Sequence, residues 1–509
     1  MKLNNKVKTI LIYLAFFCVS ILFFLSVENN IVAIRFVDED DNYITGKHLT
    51  QDYKLYKDIF SHHQPLPYLV SGFTQTITYP NSLFMLAKRN REMVMLMSFL
   101  LGLILVARFR LKGLLFFIVY EFVKIYYFGN LLLAESLSVY ATVYIIFFLF
   151  SQQKKLKVWE AVLLTLSSFW IVFNLLPMWP FVLITTILFF LQFVHSRKLL
   201  ALTYLIVGVG CIALLSFFIN WPGYVVQTLV YNVKYYIPTT AEVPLILTLF
   251  HSLFLPILTL FSFSPSETTY VLKIISIILL ASTGLLLAKK KYKLVLIACI
   301  LLVLCNLRHV PIGSQMYQGF HLLPWIAAML SVSLVLTEDT IHVYKKKYIS
   351  AIFITLWAVC IALSIFSTSS RHFIKRNKEN DLYVNYSRQY DYGKAVNIMK
   401  NTNDTLFVMT IEPLIYFEAG TKPALPYLYY YRWMIDTPPI RNDVDRAFKN
   451  NPPTFFYHET KDTEYVRYLG KYYRLYKDGQ PTPLHVLKSK LISEKALTEL
   501  AYYHFEIHK

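Results

Sequence analysis

The chain has 509 residues, of which 56% are hydrophobic and 17% aromatic, and its formal net charge is +19 at pH 7. Few soluble domains are so apolar, and several stretches meet or approach the roughly 20 apolar residues that a helix needs to cross a bilayer. The charge would suggest nucleic-acid binding in a soluble protein, but here Lys and Arg lie in short clusters between apolar runs, as the positive-inside rule describes. We therefore expect a multi-spanning membrane protein with no nucleic-acid partner.

The first apolar stretch follows Lys2, Lys6 and Lys8 and is not followed by a small-residue cleavage site, so we expect an uncleaved signal-anchor. Further apolar stretches bring the predicted total to about eleven spans. The predicted spans are 9–27, 92–107, 111–128, 132–150, 158–175, 177–194, 199–219, 270–288, 292–306, 321–337 and 348–366.

The distribution of basic residues predicts the orientation of these spans. With a cytoplasmic N-terminus, the Lys and Arg clusters between spans fall in cytoplasmic loops, whereas the short external loops after the second span contribute only Lys234 and Arg308. By the same alternation, the long first loop and the C-terminal tail lie outside the cytoplasm. We therefore expect an integral protein of the plasma (inner) membrane with an extracytoplasmic tail.

Residues 244–263 do not fit this alternation as a single crossing, because one crossing would place the basic cluster at 289–293 outside. We predict instead a re-entrant or shallow pair of short helices broken at Pro256, since such backbone is tolerated where protein or a cavity covers it.

Two regions divide the chain. Residues 1–366 form the predicted α-helical membrane bundle, with the first external loop at 28–91. Residues 367–509 contain strand-like runs at 404–411, 453–460 and 471–477 and a helical stretch at 391–400. Their length of about 140 residues suffices for one small α/β domain.

Four consecutive acids, from Asp38 to Asp41, directly follow the first span. Charged groups at a membrane edge are costly to desolvate, so they either serve a function or belong to a hydrated loop that faces water. Glu135 opens the span that begins near 132 and faces the same compartment, where it could converge with Asp38. Two carboxylates in one cleft suit acid/base work on a hydroxyl. Alternatively, Glu135 only stabilises its helix N-terminus through the helix dipole.

Asp38-Glu39 is followed by Tyr43, then by Tyr56-Lys57-Asp58, and then by the run from His62 to Leu66. This pattern resembles the first external loop of the polytopic GT-C glycosyltransferases, in the family-39-like group of protein O-mannosyltransferases and aminoarabinose transferases. Gln64 stands where that group usually has proline, and Tyr43 is one residue late. The runs 131–149, 318–330 and 404–430 resemble further motifs of the group.

The resemblance implies a GT-C bundle that transfers a sugar, with inversion, from a polyprenyl-phosphate donor to an acceptor hydroxyl on a protein, glycolipid or glycan. Asp38 would be the general base and would share the catalytic site with Glu39 and Glu135. The floor of the site would be shaped by Tyr56, Asp58, His62 and His63.

The donor phosphate needs cations at the external interface. The candidates are Arg308, His309, His321 and Lys124, with arginine best suited to bidentate phosphate contacts. Arg308 could instead be an interfacial anchor, and Lys124 could pair with Glu121 three residues earlier.

A divalent cation is a further candidate cofactor. Imidazole and carboxylate are ordinary metal ligands, so His62 and His63 could hold a metal ion together with Glu39 or Glu135. Adjacent loop histidines are, however, more often exposed or hydrogen-bonded.

Other functions fit this sequence less well. A transporter or lipid flippase should place charges near the bilayer midplane and show repeated halves, whereas these acids lie at one face. A polysaccharide ligase or polymerase usually has its large external loop late in the chain. A glycoside hydrolase also needs two carboxylates but has no reason to be embedded in lipid. The sequence therefore favours a membrane glycosyltransferase.

Overall fold

The computed structural model describes residues 5–28, 31–32, 35–151, 155–240, 243–262, 267–308, 316–371, 379–459 and 466–508. The chain is mostly helical and divides into two compact units. The first unit comprises Met1–Ile31, Arg91–Leu214 and Glu242–Arg376, and the second comprises Val32–Asn90, Leu215–Ala241 and Asn377–Lys509.

The α-helices in chain order are α1 Asn5–Glu28, α2 Val37–Leu49, α3 Leu66–Thr78, α4 Leu83–Phe109, α5 Leu111–Lys124, α6 Ala134–Leu149, α7 Val158–Val172, α8 Trp179–Gln192, α9 Arg197–Leu215, α10 Trp221–Tyr224, α11 Ile237–Thr240, α12 Leu245–Leu260, α13 Glu267–Ala288, α14 Tyr292–Leu304, α15 Leu323–Tyr344, α16 Lys347–Arg371, α17 Glu379–Met399, α18 Ile415–Ala419, α19 Arg432–Ile435, α20 Pro438–Asn450, α21 Val466–Leu469 and α22 Glu494–Tyr502. The strands are β1 Thr405–Met409, β2 Lys422–Pro423, β3 Phe455–His458, β4 Tyr472–Lys477, β5 Gln480–Leu487 and β6 Phe505–His508.

Every predicted span coincides with one of these helices. Among the described residues, six helices are long and apolar enough to cross a membrane: Lys6–Glu28, Leu83–Phe109, Val194–Leu215, Thr269–Ala288, Gln318–Tyr344 and Lys347–Phe366. Other apolar helices, such as α6, α7 and α14, are shorter. These features indicate a membrane protein, while the total of about eleven spans stays a prediction.

Helix α15 is central to the first unit. Of the 18-residue apolar segment that contains most of this helix, 94% of residues are buried, whereas 17% are buried in the corresponding segment of α1. Helix α15 packs against α5, α6 and α13. The hydroxyls of Ser331 and Ser333 donate to carbonyls within the helix, at 2.6 and 2.7 Å, so these buried polar groups need no other partner.

The predicted break at Pro256 is wrong. Helix α12 runs from Leu245 to Leu260 and contains the proline. Its buried residues include Thr248, Ser252 and Thr259, which recur at helical spacing along one face. A single continuous helix buries that face, whereas proline removes only one backbone donor and leaves the helix able to continue.

The second unit contains a mixed six-stranded sheet in the order β2-β1-β3-β5-β4-β6. Strand β1 pairs in parallel with β2 and β3, and the remaining pairs are antiparallel. The three runs predicted as strands form β1, β3 and β4, and the predicted helical stretch lies in α17. The small sheet domain predicted for the tail is therefore confirmed. Phe407, Phe448 and Phe456 form the centre of its hydrophobic core.

The first predicted external loop contributes two packed helices to this second unit. Helices α2 and α3 cross where Gly46 meets Gly72, so closely that a Cβ atom on Gly46 would lie 2.7 Å from the Gly72 backbone nitrogen. Glycine is needed here because any side chain would push the helices apart. This close crossing fixes α2, and with it the four acids at the start of the helix.

We expect Gly46→Ala to destabilise the second unit, by about 1–3 kcal/mol, the range typical of overpacked cores. The measurement is thermal unfolding of the purified protein in detergent. Gly470→Ala is the matched control, because a Cβ atom there would meet nothing within 4 Å. Equal unfolding temperatures for Gly46→Ala and the parent would contradict the close packing of α2 on α3.

Candidate functional site

The four acids lie at the start of α2, where the helix dipole favours negative charge. Asp38 is exposed to solvent. The next three residues are buried: the exposed fraction of the residue surface is 0% for Glu39, 1% for Asp40 and 4% for Asp41. The interpretation of this stretch as a hydrated loop is therefore wrong for three of the four acids, because packing of α2 within the second unit removes them from water.

Asp40 belongs to a buried ion-pair network. Arg35 Nε lies 2.9 Å from Asp40 Oδ2, and the same guanidinium pairs with Glu412, which also accepts a hydrogen bond from Gln389. Burial raises the pKa of Asp40 to about 7, although Arg35 acts in the opposite direction. Its Oδ1 atom has no hydrogen-bond partner among the described residues. The network ties the start of α2 to the chain that follows β1.

Asp41 is held by hydroxyl groups and not by a cation. The Tyr68 hydroxyl donates to Asp41 Oδ2 at 2.9 Å, and Thr45 Oγ1 donates to Oδ1 at 3.2 Å. Tyr68 in turn lies 2.7 Å from Ser61 Oγ. Burial raises the pKa of Asp41 to about 8, against the effect of these hydrogen bonds. Asp41 therefore holds its proton more readily than an ordinary aspartate.

The exposed acid, Asp38, is contacted by the C-terminal tail. The hydroxyl of Tyr431 donates to Asp38 Oδ1 at 3.0 Å. Sequence reasoning missed Tyr431, although the aromatic run Tyr427–Trp433 was visible in the tail. No local spacing connects that run to an acid nearly four hundred residues earlier, so only the fold brings them together.

His62 and His63 lie in an aromatic cluster. His62 Nδ1 is 3.0 Å from the Tyr429 hydroxyl, and the His62 ring lies 3.9 Å from the His63 ring and 5.1 Å from the Trp433 ring, between centroids. His62 is buried, whereas His63 is exposed. The His62 carbonyl also accepts a hydrogen bond from Asn232 at 2.8 Å. These contacts fix the His62 ring against the tail.

The sequence predicts a metal ion near His62, His63 and Glu39. No group of three or more His, Cys, Asp and Glu side chains there is placed to share a metal ion. One His62 nitrogen also pairs with a phenol. A divalent cation bound by Glu39, His62 and His63 stays a prediction, and no step of the chemistry below uses it.

Tyr56 and Asp58 shape the loop between α2 and α3. The Tyr56 hydroxyl donates to the His63 carbonyl at 2.7 Å, and its backbone adopts a left-handed conformation with φ of 65°. Asp58 Oδ2 accepts the Lys54 backbone N–H at 2.9 Å and so closes a turn. Tyr56 therefore supports the chain at His63, whereas Asp58 closes the preceding turn. Direct contact of either with a substrate stays a prediction.

A second polar cluster lies in the first unit. Glu135 Oε1 lies 2.6 Å from an Arg308 guanidinium nitrogen and 2.8 Å from His321 Nδ1. Asn174 donates to the Ala134 carbonyl and to Ser138 Oγ, which fixes the first turn of α6. The sequence-predicted Glu135, Arg308 and His321 thus come together, and Glu135 holds both basic side chains.

This cluster lines a pocket with apolar walls. Asn306, at its edge, is only 2% exposed, and its side-chain amide has no hydrogen-bond partner among the residues described. The remaining lining residues are Leu175, Pro177, Met178, Leu304, Cys305, Leu307 and Pro324. A cation, a buried amide and apolar side chains therefore line one small cavity of about 10 Å³.

Lys124 lies apart from this pocket. It is fully buried in α5, where it pairs with Glu121 at 2.7 Å and donates to Ser98 Oγ at 2.9 Å. Glu121 also accepts the Tyr140 hydroxyl at 2.6 Å. The structure therefore shows the helix pair with Glu121, and a phosphate contact of Lys124 stays a prediction. His309, another predicted phosphate ligand, lies outside the described residues.

Asp38 and Glu135 belong to different units of the chain. Each is surrounded by partners of its own unit, with Tyr431 beside Asp38 and Arg308 beside Glu135. Their convergence on one cleft stays a prediction.

The raised pKa of Asp41 predicts a pH-dependent stability. An unfolded aspartate titrates near 3.9, so between about pH 4 and pH 8 folded Asp41 retains a proton that the unfolded chain has lost. Folding stability must then fall as pH rises through this range. Asp41→Asn removes this titration and still offers an acceptor to Tyr68.

We therefore expect the unfolding temperature of Asp41→Asn to fall less between pH 5 and pH 8 than that of the parent. The exposed Asp52→Asn serves as the control and should behave like the parent. An identical pH dependence in Asp41→Asn would contradict the burial of Asp41 as a protonated acid.

Comparison of the chain with models of known protein families and with curated protein sequences gives no match. The similarity to GT-C glycosyltransferases therefore rests on the sequence motifs alone and stays a prediction.

Proposed function

We propose that this chain is an integral membrane glycosyltransferase that moves a sugar from a polyprenyl-phosphate donor to an acceptor hydroxyl. Transfer takes place at the extracytoplasmic face and inverts the anomeric carbon. The proposal is carried by the arrangement of residues Asp38 to Asp41, which we call the acidic turn. Asp38 alone of these four acids is exposed, and its carboxylate accepts a hydrogen bond from a tyrosine hydroxyl of the tail.

Asp38 suits the role of general base because an acceptor can reach it. The other three acids are buried, and burial raises the pKa of Asp40 to about 7 and that of Asp41 to about 8. Asp41 holds its proton more readily than an ordinary aspartate and Arg35 pairs with Asp40, and both effects reduce the repulsion that an ionised Asp38 would feel. A carboxylate positioned against an acceptor hydroxyl contributes about 10²–10⁴-fold to such a reaction.

In the proposed step Asp38 takes the proton of the acceptor hydroxyl as the oxygen attacks the anomeric carbon. A new C–O glycosidic bond forms, and the bond between that carbon and the phosphate oxygen breaks. The electron pair leaves with the polyprenyl phosphate. Attack from the side opposite the phosphate inverts the configuration, which leaves Asp38 protonated until it exchanges with water.

For the first unit taken by itself, we propose that the residues beside Glu135 bind a phosphate group. Arg308 supplies a guanidinium, which favours phosphate oxygens, and His321 adds a second donor when protonated. Glu135 then orients Arg308 and His321, so we assign it a positioning role and leave proton transfer to Asp38.

A second candidate function is transport. The Lys124–Glu121 pair is buried in α5, with side-chain exposures of 0% and 2%, and intramembrane ionisable pairs are typical of transport pathways. This pair is, however, fully satisfied by Ser98 and Tyr140. The acidic turn has no role in that candidate function, so the glycosyltransferase accounts for more of the molecule. A polysaccharide ligase or polymerase gains no specific support.

We expect Asp38→Asn to reduce sugar transfer at least about 100-fold, because the amide cannot accept the proton. The measurement uses a panel of radiolabelled polyprenyl-phosphate sugars added to membranes that contain the parent or the variant at equal amounts. Asp52→Asn, an exposed acid beyond the end of α2, is the control and should retain full transfer.

Full transfer by Asp38→Asn would remove Asp38 as the base and direct attention to Glu39. Transfer from none of the donors, with acceptors supplied from whole membrane extracts, would overturn the proposed activity and make substrate flux through Lys124 variants the next measurement.

Arg308→Gln tests the phosphate site. We expect the KM for the polyprenyl-phosphate donor to rise about 10- to 100-fold, as loss of a hydrogen bond to a charged group predicts. The KM for the acceptor should stay the same. Arg197→Gln is the control, because Arg197 is exposed and its Nε donates to the Phe190 carbonyl at 2.7 Å. An unchanged donor KM in Arg308→Gln would place the phosphate elsewhere.

A further inference from the structure

The tail segment that carries Tyr431 is anchored firmly in the second unit. The backbone N–H of Tyr430 donates to the Thr410 carbonyl at 3.1 Å, just beyond β1. Tyr427, Tyr429 and Tyr430 are buried in the same hydrophobic cluster as Phe407, and Tyr431 packs against it. The position of Tyr431 therefore follows from the sheet core and does not depend on a free loop.

The phenol of Tyr431 is a persistent hydrogen-bond donor. Its ring lies 5.2 Å from the Tyr429 ring, between centroids, in an edge-on arrangement, and its hydroxyl reaches Asp38 Oδ1 at 3.0 Å. Burial, together with the charges of Asp38 and Asp41, raises the pKa of Tyr431 well above its usual value. The phenol thus keeps its proton and can only donate to the carboxylate.

We propose that Tyr431 is a positioning residue for Asp38, supplied by the C-terminal domain to the reaction of the acidic turn. Its hydroxyl donates to one carboxylate oxygen and so holds the orientation of the Asp38 carboxylate. The proposal rests on the glycosyltransferase function proposed above. Tyr431 keeps its proton throughout, and the proton taken from the acceptor goes to the carboxylate of Asp38.

The hydrogen bond has a second consequence, because a donor that faces a carboxylate favours its ionised form. The charged and titratable groups around the acidic turn are Glu39, Asp40 and Asp41 on α2, Arg35 before it, Tyr68 on α3, and Glu412, Tyr429 and Tyr431 in the tail. Arg35 is the cation of this group, and it pairs with Asp40 and Glu412. Tyr431 therefore gives Asp38 a neutral hydrogen-bond donor, whereas Arg35 gives Asp40 a cation.

Tyr431→Phe removes the hydroxyl and retains the ring. We expect kcat for sugar transfer to fall about 10-fold, in line with a lost hydrogen bond to a charged group, while the donor KM stays the same. The pH of half-maximal transfer on the acidic side should rise by about one unit, because Asp38 loses support for its charge. A residue that only stabilised the fold would not move this pH.

Tyr427→Phe is the matched control. Tyr427 lies in the same aromatic run and cluster, and its hydroxyl donates to Asp443 at 3.0 Å, an acid outside the acidic turn. The Tyr427→Phe variant also loses one hydrogen bond from a hydroxyl to a carboxylate. Because that carboxylate is Asp443 and not Asp38, the variant should keep the pH profile of the parent. Unfolding temperatures of both variants show whether they fold equally well.

A second measurement tests the contact between Tyr431 and Asp38 and does not require sugar transfer. A water-soluble carbodiimide modifies protonated carboxyl groups, so the pH dependence of Asp38 labelling, followed by mass spectrometry of the α2 peptide, reports its ionisation in the purified protein. We expect the labelling midpoint to lie about one unit higher in Tyr431→Phe than in the parent and in Tyr427→Phe.

The two measurements separate the two proposals. A shifted labelling midpoint without sugar transfer in the parent would sustain the contact and overturn the proposed function. An unshifted midpoint and an unshifted pH profile in folded Tyr431→Phe would overturn the positioning role, whether or not transfer occurs.

Discussion

The pairing of Arg35 with Asp40 and Glu412 is the interaction on which the acidic turn depends. Without a cation at this position, α2 would bury three adjacent acids with little to offset their desolvation, a cost of several kcal/mol for each ion that stays charged. The second unit meets this cost in two ways. Arg35 compensates Asp40 directly, and Asp41 tends toward its neutral form under hydroxyl donors. Asp38 can then remain exposed and charged at the start of the same helix.

This arrangement places the candidate chemistry on tightly packed elements. The α2–α3 crossing at Gly46 and Gly72 sets the direction of α2, while the core of the C-terminal sheet fixes Tyr431. The first external region and the C-terminal tail, far apart in sequence, belong to one compact unit. In the first unit, His321 lies just before α15 and Glu135 lies in the first turn of α6. Two of the polar residues that line the pocket are therefore held at helix ends.

Much of this fold could be predicted from the sequence, because length and hydropathy are local properties. The apolar runs form helices at every predicted span, and the strand-like runs of the tail form β1, β3 and β4. Asp38 stood out by its spacing, and Glu135 with Arg308 and His321 by their shared predicted side. Pro256 misled because a proline weakens a helix locally, whereas the one-sided burial that keeps α12 continuous is a tertiary effect. The roles of Tyr431 and Arg35 could not be predicted. Tyr431 contacts Asp38, and Arg35 contacts Glu412, across hundreds of residues of sequence. The pairing of Arg35 with Asp40 depends on burial that no local pattern reveals.

The most direct test of the central claim is the stereochemical course of transfer by the purified protein. The anomeric configuration of the product, determined by NMR for a donor of known configuration, distinguishes direct displacement by an activated acceptor hydroxyl from a route through a sugar attached to the enzyme. A base at Asp38 that activates the acceptor for a single displacement predicts complete inversion. Retention of configuration would contradict this account, because it requires a nucleophile on the enzyme and two successive displacements.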